Sequence, residues 1–141
     1  MRGYSCIALF NTKESKNIGG SIRAAYCYQS SLIIISGNRY RHMPDDTTKA
    51  FRSIPLIQTN NLFDCIPYDC KIIGVEITEK SRDIFKFTHP ERACYIFGPE
   101  DGSLPEEILN KCNYVISIPT KCCMNLAATV NVVLYDRLLK G

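Results

Sequence analysis

Short apolar runs, separated by glycine, proline and asparagine and alternating with helix-like segments, predict an α/β domain. Its core would be a mainly parallel sheet of six strands, with helices on both faces. Two observations support this. Each apolar run has the length of a strand rather than a helix, and most are followed by a segment with helical spacing or a capping residue. The chain also has 141 residues, 45% of them apolar and 22% charged, which suits one ordinary domain over 1–141 with a core of its own.

Taken in order, Tyr4–Phe10 predicts the first strand and, after a loop, 18–29 the first helix. Leu32–Ser36, ending at Gly37, predicts the second strand, and 54–58 the third. Asn60 or Asn61 then caps a short helix reaching Cys65, since an asparagine side chain can accept from a free N–H of the first turn. The fourth and fifth strands are expected over 71–77 and 93–97. Ser103-Leu104-Pro105-Glu106 has the spacing of a capping box with proline in the first turn, so a helix should cover 104–112. Residues 114–118 predict the sixth strand and 125–139 the last helix. Arg137 and Lys140 are placed to meet the partial negative charge at the end of that helix.

Composition narrows the function classes. The longest apolar stretches, 31–36, 71–75 and 130–134, fall far below the ~20 residues of a membrane span, and no signal-like run opens the chain, so a cytoplasmic location is expected. The eight cysteines (Cys6, Cys27, Cys65, Cys70, Cys94, Cys112, Cys122, Cys123) are then expected reduced, mostly as small buried thiols. They form no C-x-x-C pair, and His42 and His89 are isolated, so no metal site is expected. A net charge of +3 does not by itself mark a nucleic-acid binder. Arg39, Arg41, His42, Lys49 and Arg52 nonetheless gather with Tyr40 and Phe51, opposed by Asp45 and Asp46. That segment is either a solvated loop or an RNA surface, depending on the rest of the site.

In parallel sheets of this kind ligands gather beyond the carboxyl ends of the strands, where three loops should meet. Asn17-Ile18-Gly19-Gly20-Ser21-Ile22-Arg23 either relaxes the chain into a helix bearing a surface arginine or forms part of a site. It holds neither a G-x-G-x-x-G fingerprint nor a P-loop lysine. Gly98-Pro99-Glu100-Asp101-Gly102 is either a turn into the capped helix or a ligand loop. Ile118-Pro119-Thr120, a cysteine-bearing turn and Met124-Asn125-Leu126 make the third, in which Asn125 is either a plain N-cap or an amide turned toward a ligand.

Together the three loops resemble the three motifs of the SPOUT superfamily of S-adenosylmethionine (SAM) methyltransferases, in its TrmH branch of RNA ribose 2′-O-methyltransferases. Asn17-x-Gly19-x-x-x-Arg23 matches the first motif and Gly98-Pro99-Glu100-x-x-x-Leu104-Pro105 resembles the second. The third is resembled by Ile118-Pro119, Met124-Asn125-Leu126 and Leu134-Tyr135-Asp136. The likeness spans nearly the whole chain, and its wording is most similar to the TrmL type, which methylates the wobble nucleotide of certain tRNAs.

The resemblance implies a C-terminal deep trefoil knot, SAM as cofactor, an RNA substrate, most simply a tRNA modified at position 34, and a homodimer with substrate sites built from both subunits. SAM would be held near Ile77 and Thr78, at Gly98, and from Ile118 through Cys123 to Leu126. Arg23 would grip an RNA phosphate and steady the nascent alkoxide, with Asn17, Glu100 and Asn125 orienting it and the loops. Arg39, Arg41, Lys49 and Arg52 would then contact RNA, joined by Lys13, Lys16 and Lys121. Cys123 and Ala127 stand where the family often has serine, and Asp101-Gly102-Ser103 where an arginine is common. These departures leave a catalytically inactive SPOUT-fold protein that binds RNA or dimerises as the alternative, with an unknotted nucleotide-binding domain as a third.

Overall fold

The computed structural model describes residues 2–40 and 53–141. Its strands are β1 (Tyr4–Phe10), β2 (Leu32–Ser36), β3 (Leu56–Thr59), β4 (Lys71–Val75), β5 (Arg82–Asp83), β6 (Arg92–Phe97) and β7 (Tyr114–Ser117). The helices are α1 (Ser15–Cys27), α2 (Glu106–Lys111) and α3 (Leu126–Lys140). The strands form one sheet in the order β3-β2-β1-β6-β4-β7-β5, and every neighbouring pair is parallel. Strand side chains alternate between faces, so the central runs fill two cores at once. Ile7, Leu9, Ile33, Ile35, Tyr95 and Phe97 pack against Ile18 and Ile22 of α1 and Val130, Val133 and Leu134 of α3. Their alternates Cys6, Ala8, Ile34, Cys94 and Ile96 lie on the other face under Leu62, Leu104 and Ile108.

The parallel α/β architecture is as expected, with one more strand than the six predicted. The addition is β5, a two-residue polar strand that pairs with the open edge of β7. No apolar run announces it, because what makes it a strand is the neighbour it meets. α1 starts at Ser15 rather than residue 18, which places Gly19 and Gly20 within it. Gly20 is needed for contact and not for entry into the helix: a Cβ there would lie 2.7 Å from the Cβ of Ala127, where α1 and α3 touch. The helix expected after Asn61 is a single 3-10 turn, Leu62–Asp64, with the Asn61 side chain accepting from the Phe63 N–H at 3.2 Å.

The predicted capping box does not form. α2 begins at Glu106 behind Pro105, two residues later than expected and with no side-chain cap, while Leu104 is buried in the core. Arg137 and Lys140 also do more than face the helix terminus. Arg137, only 7% exposed, donates to the carbonyls of Pro90 (2.7 Å), Glu91 (2.6 Å) and Tyr4 (3.2 Å) and to the Tyr95 hydroxyl (3.1 Å). Lys140 reaches Asp136 (2.9 Å) and the carbonyls of Phe87 (3.0 Å) and Ile84.

His89 completes this anchor, with Nδ1 2.7 Å from the Tyr95 hydroxyl and Nε2 2.7 Å from Asp136. A carboxylate can only accept, so Nε2 carries the proton and the Tyr95 hydroxyl donates to Nδ1. Burial holds His89 below its ordinary value against the pull of Asp136, and pushes Tyr95 up to about 12.

All eight cysteines are unpaired. Burial raises the Cys94 thiol well above its ordinary range and Cys112 to about 11, which keeps these sulfurs protonated and unreactive. No described helix is long and apolar enough to cross a membrane, and no metal-holding cluster occurs among the described residues.

Candidate functional site

The three loops meet at the carboxyl ends of β1, β6 and β7, joined by a run of amides. Asn125, the N-cap of α3, accepts from the Ala128 N–H at 3.2 Å, and its Nδ2 donates to Asn17 Oδ1 at 2.9 Å. Asn17, 9% exposed on the first turn of α1, donates in turn to Glu100 Oε2 at 2.8 Å. Glu100 also accepts from the backbone N–H groups of Lys13 (2.7 Å) and Glu14 (3.4 Å). Burial works against its charge, but these donors outweigh it and hold the carboxyl below its ordinary value. Each asparagine offers its oxygen to one neighbour and its NH₂ to the next, so the chain of bonds runs in one direction from the helix N-terminus to the carboxylate.

Beside this run lies a cleft of about 150 Å³, bordered by the ends of β4, β6 and β7 and the start of α3. Ile77, Gly98, Glu100, Ile118, Cys123 and Leu126 line it. Thr78 does not, because its hydroxyl and N–H are spent on Ser81 Oγ (2.9 and 2.8 Å) within its own turn. Gly98 is closely surrounded by the protein itself. A Cβ there would meet Leu104 N at 3.2 Å and Glu76 Oε2 at 3.3 Å, so the glycine is explained by close packing of the protein against itself.

Glu76 is the residue that sequence reasoning missed. Its carboxylate accepts from Ile77 N (3.2 Å) and from Leu104 N (2.9 Å), tying the loop after β4 to the loop after β6 at the rim of the cleft. The one available signal was a carboxylate inside the apolar run predicted as a strand over 71–77.

Of the other expected site residues, Arg23 and Arg39 fall outside this assembly. Arg23 lies on the exposed face of α1 and forms no hydrogen bond or ion pair among the described residues, so a single chain does not bring it to Asn17, Glu100 and Asn125. Arg39 is bound to Asp101 through both terminal guanidinium nitrogens, the Nη1–Oδ1 contact being 3.0 Å, and it also reaches the Asn11 carbonyl at 3.2 Å. Thus Asp101, standing where the family often has arginine, already occupies one proposed RNA contact. Arg41, Lys49 and Arg52 lie outside the described residues. Asp136 of the third motif belongs to the anchor at the opposite end of α3. Ala127, in place of serine, packs against Gly20.

A TrmH/SpoU tRNA modifying enzyme of A. aeolicus superposes with a TM-score of 0.85 at 12% identity, covering 99% of this chain and 76% of that one. The SpoU methyltransferase AviRb of Streptomyces viridochromogenes, solved with the cofactor AdoMet, gives 0.82 at 19% identity, covering 99% of this chain and 58% of that one. A structure concerned with 2-OH methylation of C/U34 on tRNA gives 0.80 at 16% identity, covering 99% and 92%. Identities this low speak for the fold. The chain spans less than two thirds of AviRb, and 56% of the length of a Sinorhizobium meliloti rRNA methyltransferase. No curated protein sequence matches it. The SpoU rRNA methylase family model matches residues 5–135, and the chain belongs to that family.

Proposed function

We propose that this protein is a SAM-dependent RNA ribose 2′-O-methyltransferase that acts on tRNA, with the wobble nucleotide 34 as its target, as a homodimer in the cytoplasm. The observation that carries the proposal is the bonded run Asn125–Asn17–Glu100, which joins the three motif loops at the mouth of one cleft.

The cleft fits SAM in sign and surface. The charged side chains lining it among the described residues, Glu76 and Glu100, are both carboxylates, which suits a sulfonium cation and disfavours a phosphate-bearing nucleotide. Val75, Ile77 and Phe97 supply apolar surface for a ring. The volume is below that of a usual small-molecule site, so a cofactor of this size would extend into the open mouth. When bound, SAM supplies an electrophilic methyl group to an acceptor placed in line with it.

The chain's own residues would do the rest. Asn17, Glu100 and Asn125 hold the loops in register. Arg23, with its donors free among the described residues, would grip an RNA phosphate and stabilise the oxygen as it becomes negative. A guanidinium does not give up its proton, so a phosphate oxygen or water takes the proton from the ribose. Val132, Tyr135, Leu138 and Leu139 form an exposed apolar stripe on α3, the face proposed for the homodimer, so that the substrate site is built from both copies. The C-terminal part would be tied in a deep trefoil knot, a proposal supported by β7 lying between β4 and β5, both of which precede it in the chain. Arg39, Arg41, Lys49 and Arg52 are proposed as phosphate contacts, and Arg39 would have to exchange Asp101 for RNA.

Calorimetric titration with S-adenosylhomocysteine, followed by tritiated-methyl transfer to total tRNA, tests this. Wild-type protein should bind the nucleoside and label tRNA, while Arg23→Ala should bind it equally and label nothing. Absence of binding by wild type, or unchanged labelling by the variant, would overturn the proposal or the role of Arg23 respectively.

A further inference from the structure

A second recess opens at the same edge of the sheet, on the side covered by α2. It encloses about 350 Å³, within the range of small-molecule sites. Its base is the end of β1 and β2 at Phe10 and Ser36, and its walls are Asn60 to Phe63 and the α2 residues Glu107 and Lys111. Ser36 is 3% exposed, and its hydroxyl has no hydrogen-bond partner among the described residues. A buried hydroxyl left alone is disfavoured, so one that borders a recess points to a ligand that would satisfy it.

The remaining groups define that ligand. Phe10 and Phe63 offer flat aromatic surface, and the Lys111 ammonium lies 4.7 Å from the centre of the Phe63 ring. The Asn60 amide, which both donates and accepts, forms no hydrogen bond among the described residues, and Glu107 forms no ion pair among them. The set therefore asks for a flat ring with donors and acceptors along its edge. A bare phosphate fits poorly because Glu107 offsets Lys111, and a purely apolar group would leave Ser36 unsatisfied. A heterocyclic base meets all of these demands, by stacking and by edge hydrogen bonds.

Placement adds to this. The segment from Gly98 to Lys111 borders both hollows, the cleft with Gly98 to Gly102 and the recess with Glu107 to Lys111. We propose that the recess binds an unstacked nucleobase of the RNA and so takes part in choosing the target; assigning the base to an RNA rests on the function proposed above.

NMR titration of the full chain with each nucleoside 5′-monophosphate in turn provides the test. At least one should shift the amide signals of Ser36, Asn60, Phe63 and Lys111. Ser36→Ala and Asn60→Ala should each weaken that binding about fivefold, the size of one lost hydrogen bond. Neither should lower the thermal midpoint, which separates a hydroxyl kept for a ligand from one kept for the fold. Silence of those signals, equal binding by both variants, or shifts confined to the cleft at Ile77 and Gly98 would overturn the proposal. S-adenosylhomocysteine titrated in parallel distinguishes the two failures. Binding of it without any monophosphate removes the recess alone, and a monophosphate in the recess without it removes the methyltransferase assignment alone.

Discussion

Asn125 at the amino end of α3 and Arg137 near its carboxyl end both bond to parts of the chain far away in sequence, but they leave different things behind. Arg137 delivers a buried charge to four acceptors, and its neighbours His89, Asp136, Lys140 and Tyr95 also spend their polar atoms on one another or on backbone. Asn125 is exposed, neutral and bonded to another amide, and its run ends on a carboxylate that lines an open cleft. One helix thus carries a closed anchor at the amino ends of β1 and β6 and an open site at the carboxyl end of β6. Charge buried with every partner supplied gives rigidity, because removing one partner strands the rest. Neutral bonds near solvent are individually weak and can adjust when a ligand arrives.

The contrast can be broken most directly at the anchor. Arg137→Met removes a buried guanidinium that donates to three carbonyls and the Tyr95 hydroxyl, and should cost about 3 kcal/mol in chemical denaturation, with S-adenosylhomocysteine affinity retained by the folded fraction. A loss below about 1 kcal/mol would mean that the buried charge does no more than a surface one. At the other end, Asn125→Ala should cost about 1 kcal/mol, the usual value of a helix cap. It should lower methyl transfer about a hundredfold, as expected when reacting groups shift by an ångström. Equal loss of stability at both ends would erase the distinction.

The anchor should also respond to pH. Burial depresses His89 in the folded state, so below its ordinary value of 6.5 the unfolded chain takes a proton that the folded protein refuses. Stability should therefore be full above that value and fall as pH drops through and below it. Denaturation midpoints measured across pH 6.5 check this, and His89→Gln should flatten the curve. The smallest effect belongs to Arg39 and Asp101, an exposed ion pair. Asp101→Asn should leave the denaturation midpoint unchanged while releasing Arg39, so that RNA binding tightens and its salt dependence steepens. Unaltered RNA binding over a salt series would remove Arg39 from the RNA surface.

Much of the site could be read from the chain because its motifs are local. Gly98, Ile118 and Leu126 are placed by the ends of strands and the start of a helix, and those ends follow from short-range patterning. Asn125 was legible as a cap for the same reason. Glu76 was not: a carboxylate inside an apolar run gives no hint that it will bridge to Leu104, 28 residues away. Thr78 closes its turn on Ser81 and does not line the cleft.

The amino-acid sequence by itself determined the order of strands and helices and which side chains alternate toward each core. It also determined where the motif residues sit, since these depend on neighbours a few positions apart. Only the tertiary structure decided that Asn17 would meet Glu100 across 83 residues and Asn125 across 108. It also made a strand of Arg82–Asp83, buried Arg137 among carbonyls and left Arg23 apart from the cleft. Those outcomes depend on which segments become neighbours, and that is set by packing the whole sheet between its helices rather than by the preference of any one segment.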